Sequence, residues 1–191
     1  MMDKTPTRKF YIKHVKAIIH AIVNYEDLDL LLGHITEGTA KRFGAKGCSI
    51  MLLDENENQL IHVKSYGISE EYLIKGKVLV GKECALYTGE PVYVEDMQNS
   101  PLIQYPEAAA KEGFHSMLSI PIKRQNFTIG VLRIYHGEVY AFHEEDIDSL
   151  CLMSEVLSMV IDLNGLKNFL DIIKMGFSDL PSRIIGENCK P

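Results

Sequence analysis

Apolar and polar positions along this chain repeat with two periods, and the switches between them mark its elements. From Arg8 to Asn24, Tyr11, Val15, Ile18 and Ile22 recur at helical spacing, with Ile12, Ile19 and Val23 beside them. That pattern predicts a helix with a broad apolar face. Glu26-Asp27-Leu28 restarts the helical period with acids in the first turn, where they suit the positive end of a helix. Leu28, Leu31, Leu32, Ile35 and Thr39 share a face as far as Phe43, and Gly44 supplies the stop. The period then shortens. Cys48–Leu53 reads as a buried strand, Asp54–Asn58 as a polar turn, and Gln59–Tyr66 as the second arm of a hairpin. Ser69 to Lys75 is predicted as a short helix capped by Ser69. Pro91 to Glu95, His115 to Ile122 and Phe127 to His136 supply three further strands. Two helices, a hairpin, more strands and a closing helix, joined by short antiparallel returns, predict an α+β fold around a central antiparallel sheet.

The closing helix, predicted over Glu144–Ile173, carries two apolar stripes. Leu152, Val156, Met159, Leu163, Leu166, Leu170 and Ile173 alternate by four and three residues, while Ile147, Leu150, Ser154, Leu157 and Ile161 form the second set. At roughly 100° per residue, positions 152 and 154 stand about 200° apart, on opposite sides of the helix. One stripe covers the sheet, and the other needs a different partner. Either the Arg8–Asn24 helix of the same chain covers it, or a second copy does, in a homodimer built from the first and last helices. Gly165 inside the seam costs about 1 kcal/mol relative to alanine and marks a candidate bend.

Composition narrows the role. The chain has 191 residues, enough for one good core with extended helices. A net charge of −6 with scattered lysines and arginines argues against a nucleic-acid surface, which needs clustered cations. No uninterrupted apolar run approaches the about 18 residues of a membrane span, and residues 1–14 lack the apolar stretch of a signal peptide. Cys48, Cys84, Cys151 and Cys189 stand far apart without a CxxC pair. Neither a disulfide framework nor a zinc site is expected, and a reducing cytoplasm is the simplest setting.

Strand alternation sorts the chemistry. Gly130, Leu132 and Ile134 share one face of their strand, and Val131, Arg133 and Tyr135 share the other. A glycine permits close packing, so its face is expected beneath the terminal helices. Arg133 among apolar neighbours is costly unless it meets an anion, a carboxylate such as Glu95 or Glu107, or solvent. Ser49 with Met51, and His115 with Met117 and Ser119, complete a half-polar set suited to the floor of a ligand cavity.

The order of pieces between Val80 and Leu163 adds a family resemblance. Gly89-Glu90-Pro91 leads into Val92–Val94, PEAAAKEGFHSMLSIPI follows, and FTIGVLRIYHGEVYAFHEEDIDSL places Gly130 inside the last strand and Phe142 before an acidic turn. This arrangement resembles a GAF domain, over roughly Leu28 to Leu163. The resemblance implies a GAF/PAS-like architecture: a sheet of five or six strands, terminal helices on one face and a ligand pocket under loops and short helices on the other. It divides the chain into an N-terminal helix (1–26), the domain proper (27–163) and a helical extension with a loose tail (164–191). It implies a non-catalytic sensory module that binds a small molecule on the sheet floor beneath the Asp96–Gly113 cover. The expected ligand-contacting residues are Ser49, Met51, Tyr105, His115, Met117, Ser119, Arg133 and Tyr135. Dimerising helices would pass the signal to an attached or partner kinase, cyclase or transcription activator of bacterial type.

The alternative is a dimerisation module with a filled pocket. The resemblance names no ligand or cofactor. The Asn-Lys-Phe-Asp-Glu motif of cyclic-nucleotide-binding members is absent, and no cysteine near His115 could attach a bilin. Free methionine sulfoxide reductases use cysteines in the cover loops; Cys84 falls near such a position, but Asp96–Gly113 contains none. His143-Glu-Glu-Asp146 suggests a metal cluster, but consecutive helical residues do not face one another. Its acids suit a helix N-terminus, with His143 standing where a Ser, Thr or Asp cap is usual. His14, His20 and His34 make no HExxH, and no phosphate loop or GxSxG occurs. Asp179–Gly186 resembles the segment leading into the ATPase domain of some bacterial activators.

Overall fold

The computed structural model describes residues 6–25, 27–82 and 84–178. Expectations on Glu26, on the side chains of Ile22, Val23 and Ile173, and on the tail from residue 179 onward lie outside the described residues. In chain order the elements are α1 (Ile12–Asn24), α2 (Leu28–Phe43), β1 (Gly47–Asp54), β2 (Gln59–Tyr66), α3 (Glu70–Leu73), β3 (Val78–Leu79), α4 (Ala85–Thr88), β4 (Val92–Val94), α5 (Pro106–Glu112), β5 (Ser116–Arg124), β6 (Phe127–His136) and α6 (Glu144–Ser178). The six strands form one sheet in the order β3-β2-β1-β6-β5-β4, every neighbouring pair antiparallel.

Local chemistry fixes the helix ends. The Asp27 carboxylate accepts from the Asp29 and Leu30 amides at the start of α2, and Gly44 ends it at φ 63°, the left-handed region open to glycine. Ser69 Oγ accepts from the Tyr72 amide at the start of α3, as predicted. At the start of α6, His143 takes the cap's part: its Nδ1 accepts from the Glu145 amide at 3.2 Å.

The α+β architecture has its long helices on one face and the short helices α3, α4 and α5 on the other. Ile50, Leu118, Ile120, Ile122, Leu132 and Ile134 point from the sheet into a core closed by Leu31, Leu32, Ile35 and Phe43 of α2 and Leu150, Met153 and Leu157 of α6. The Gly130 side therefore faces the helices, but the reason for a glycine is different from the expected one. A Cβ there would meet the Met51 carbonyl oxygen at 2.3 Å and Leu52 Cδ2 at 2.8 Å, so the close approach is to β1 and not to a helix.

Helix α1 begins later than its apolar pattern. Residues 8–10 stand outside the helix, and the Asp146 carboxylate of α6 accepts from the Lys9 amide (3.0 and 2.9 Å) and the Phe10 amide (2.6 Å). Phe10 is thereby held against Phe43, with ring centroids 6.3 Å apart and planes nearly parallel. Helix α1 also packs on α6, yet one α6 stripe stays open: Leu157 is 0% exposed, whereas Met159 is 64%, Leu163 65% and Leu166 56% exposed. By length and composition the Glu144–Ile172 stretch could cross a membrane. In the fold, its Leu150–Leu157 stripe is a core face of the domain.

Candidate functional site

The other face of the sheet carries Met51, Met117, Val131, Arg133 and Tyr135, as alternation predicts, and two smaller apolar clusters flank it. Between them lies a cavity of about 320 Å³ lined by Tyr72, Lys75, Lys82, Cys84, Met97, Gln104, Tyr105, Met117 and Arg133, among others. A hollow of about 60 Å³ adjoins it, lined by Ser49, Met51, Leu60, His62 and Tyr135; Tyr72, Lys75 and Val78 wall both.

Polar contacts tie the cover to its surroundings at several points, among them Glu112 to Ser69 and Lys111 to Glu71. Gln104 joins the cover to β3 at the cavity wall: its Oε1 accepts from the Leu79 amide (2.9 Å) and its Nε2 donates to the Leu79 carbonyl (3.0 Å). Tyr105 donates its hydroxyl to the Lys77 carbonyl at 2.8 Å. Gly76, at φ 135°, lies beneath that ring, and a Cβ there would meet the Tyr105 hydroxyl at 2.5 Å. At the closed end, the Tyr135 ring stacks on Phe114 with centroids 4.5 Å apart, and Tyr72 meets Phe114 edge-on at 5.1 Å. Burial keeps the Tyr72 phenol well above its usual range.

Charge distinguishes this cavity from an ordinary apolar gap. Lys75, Lys82 and Arg133 line it, and no Asp or Glu among the described residues does. Arg133 Nε is buried without a hydrogen-bond partner, and among the described residues Arg133 pairs with neither Glu95 nor Glu107. The Lys75 ammonium lies 3.7 Å from the centroid of the Tyr72 ring and donates to the Tyr72 carbonyl at 2.9 Å. Burial first, then the Arg133 charge, pulls Lys75 down to about 8. Burial and then Lys75 also lower His62, whose Nε2 is buried and unpartnered.

The structure divides the sequence-predicted residues into three groups. Tyr105, Met117 and Arg133 line the larger cavity, and Ser49, Met51 and Tyr135 the smaller hollow, where Ser49 Oγ and Tyr135 Oη lie 3.4 Å apart. His115 and Ser119 line neither. β5 begins one residue after His115, whose amide donates to the His136 carbonyl and whose carbonyl accepts from Met97. Ser119 is buried opposite Val92 and Arg133, with its hydroxyl unpartnered.

Lys75, Tyr72, Gln104 and His62 were not singled out from sequence. His62 was within reach, because it is the cross-strand partner of Met51 and so shares its face. Cys84 is the one cysteine lining the cavity among the described residues; Cys48 is buried in the helical-side core and Cys151 lies in α6. No three His, Cys, Asp or Glu side chains among the described residues are grouped to hold a metal.

Comparison with known proteins bears on this geometry. A family model described as GAF domain matches residues 26–162. Among solved structures, the chain is similar to the GAF domain of a phosphoenolpyruvate-protein phosphotransferase from Coxiella burnetii, with TM-score 0.73, 20% identity, and coverage of 82% of this chain and 95% of that one. The corresponding Acinetobacter domain gives TM-score 0.69 at 20% identity, covering 82% and 96%. The free methionine-R-sulfoxide reductase from Neisseria meningitidis, solved in complex with its substrate, gives TM-score 0.64 at 19% identity, covering 78% and 86%. At these identities the likeness is one of fold. No curated protein sequence matches the chain.

Proposed function

The chain belongs to the GAF domain family, and from that premise we propose that it is a regulatory sensor: a small molecule binds between sheet and cover and shifts the helices through which two copies pair. The observation that carries this reading is the cavity of about 320 Å³, half polar and closed by a cover latched at Gln104 and Tyr105. Binding would order the 96–113 cover and bias α1 and α6, and through them an attached or partner effector such as a kinase, cyclase or transcription activator. The response is bounded by the ligand's difference in affinity between the two arrangements.

Pairing of two copies is supported by the open α6 stripe of Leu152, Met159, Leu163, Leu166 and Leu170, which keeps its four-and-three spacing and is exposed. The setting proposed is cytoplasmic. Binding is favoured over catalysis because, among the described residues, no second cysteine lines the cavity with Cys84, and a thiol reduction cycle needs one or an external thiol.

Native mass spectrometry of freshly purified protein tests the reading. The expected spectrum shows a dimer and a retained small molecule, and the dimer is lost in Leu163→Glu/Leu166→Glu. A monomer, with no thermal shift across a metabolite panel, would refute it. Turnover of free methionine sulfoxide that Cys84→Ser abolishes would make the protein an enzyme instead.

A further inference from the structure

We infer that the larger cavity is built for a compact organic anion, its charged head held between Arg133 and Lys75 and its apolar body lying against Met97 and Met117. The inference rests on the sensory reading above and narrows it to a ligand class. Arg133 and Lys75 line a wall with no described carboxylate and are both partly withdrawn from bulk water, which is unfavourable for like charges when the cavity is empty, while Lys82 adds a third, exposed cation. Arg133 is fixed on β6 between Ser49 and Ser119 of the flanking strands, its Nε buried and unpartnered. Its planar fork matches the paired oxygens of a carboxylate or phosphate.

Lys75, in the loop after α3, lines the same cavity as Arg133. One of its three ammonium hydrogens goes to the Tyr72 carbonyl, and two remain for a ligand. The groups around Lys75 are Tyr72 on α3, His62 on β2, Arg133 on β6 and Glu112 on α5. Glu112 does not neutralise the cavity, for its carboxylate accepts from the Ser69 amide (2.7 Å) and hydroxyl (2.5 Å). A space of about 320 Å³ holds roughly ten waters' worth of liquid. That suits a short organic acid or a small phosphorylated metabolite, and excludes a dinucleotide.

An anion between the two cations favours the charged form of Lys75 and reverses the effect of its burial. Binding therefore takes up a proton between about 8, where Lys75 stands in the free cavity, and its ordinary 10.5. Affinity is constant below that window and falls as pH rises through it, by up to about tenfold per pH unit.

The test titrates the protein with inorganic phosphate, succinate and uncharged succinamide, following thermal shift, the Arg133 Nε resonance and the Met117 methyl resonance. Phosphate or succinate is expected to raise the melting temperature saturably and move both resonances, and succinamide to do neither. A response to phosphate alone assigns a phosphoryl head, and one to succinate alone a carboxylate. Arg133→Met and Lys75→Met, which keep an apolar stem, each weaken binding at least tenfold, while Arg124→Met, outside the cavity, leaves it unchanged. In Lys75→Met the pH dependence above 8 disappears. If Arg133→Met fails to fold, Lys75→Met, in a loop, decides the matter. Succinamide binding as well as succinate, or affinity indifferent to both substitutions, overturns the anion assignment and leaves the sensory reading standing. Failure of every probe, charged or neutral, to move the Met117 methyl resonance removes both.

Discussion

Replacing Asp146 tests how the N-terminal segment is joined to the domain. Its carboxylate is 1% exposed and accepts from two main-chain amides, those of Lys9 and Phe10, more than 130 residues away in sequence. Hydrogen bonds to a charged acceptor contribute about 1.5–3 kcal/mol each, and a buried amide left without one costs a similar amount. Asp146→Ala orphans both donors and is expected to cost about 3–5 kcal/mol, whereas Asp146→Asn keeps one acceptor oxygen and loses about half as much. The loss is not confined to the bonds. Phe10 is 3% exposed against Phe43, so release of residues 8–10 also uncovers an aromatic contact at the base of α1. Urea denaturation gives the stability change, and hydrogen exchange locates it. The Phe10 amide and the amides of α1 should lose protection well before those of β5 and β6. Unchanged protection at Phe10, or a stability loss under about 1 kcal/mol in Asp146→Ala, would refute the claim that this carboxylate anchors the segment.

Two further substitutions probe the sheet. Gly130→Ala places a methyl group against the Met51 carbonyl oxygen, which cannot retreat without breaking the β1–β6 ladder; a loss of about 3 kcal/mol is expected in chemical denaturation, and a neutral result would mean the strands part easily there. His136 is held neutral by burial, and secondarily by Lys9, with its value drawn down to about 4. Because the unfolded ring binds a proton near 6.5 and the folded ring only near 4, stability falls on acidification between those values, by up to about 3 kcal/mol. His136→Phe, which preserves the stack on Tyr140, should flatten the stability profile in that window relative to the parent; parallel profiles would contradict it.

The fold was legible wherever a period could run for several residues. β2 and β6 occupy the predicted spans, and α2 begins at Leu28 and ends at Phe43 before its glycine. β3 was not visible, because two residues pairing with Gln59 and Leu60 carry no alternation. The four residues of α4 are equally silent, being a single turn. On the floor, Met117 and Arg133 could be placed because a strand reports the direction of every second side chain. Lys75 escaped because it follows a short helix into a loop, where nothing periodic reports direction and burial comes from contacts distant in sequence. His115 shared an alternation with Met117 on paper, but its main chain is used by Met97 and His136 before the ladder of β5 starts.

The Gln104 latch has a second consequence. β3 is one of the two edge strands of the sheet, and edge strands display bare amides and carbonyls that other chains can template upon. By supplying one acceptor and one donor to Leu79, the Gln104 carboxamide imitates a further strand one residue long. Loss of the Gln104–Leu79 pair would withdraw that imitation. Under the proposed sensory reading, a ligand that holds this pairing in place would also shield the edge from other chains.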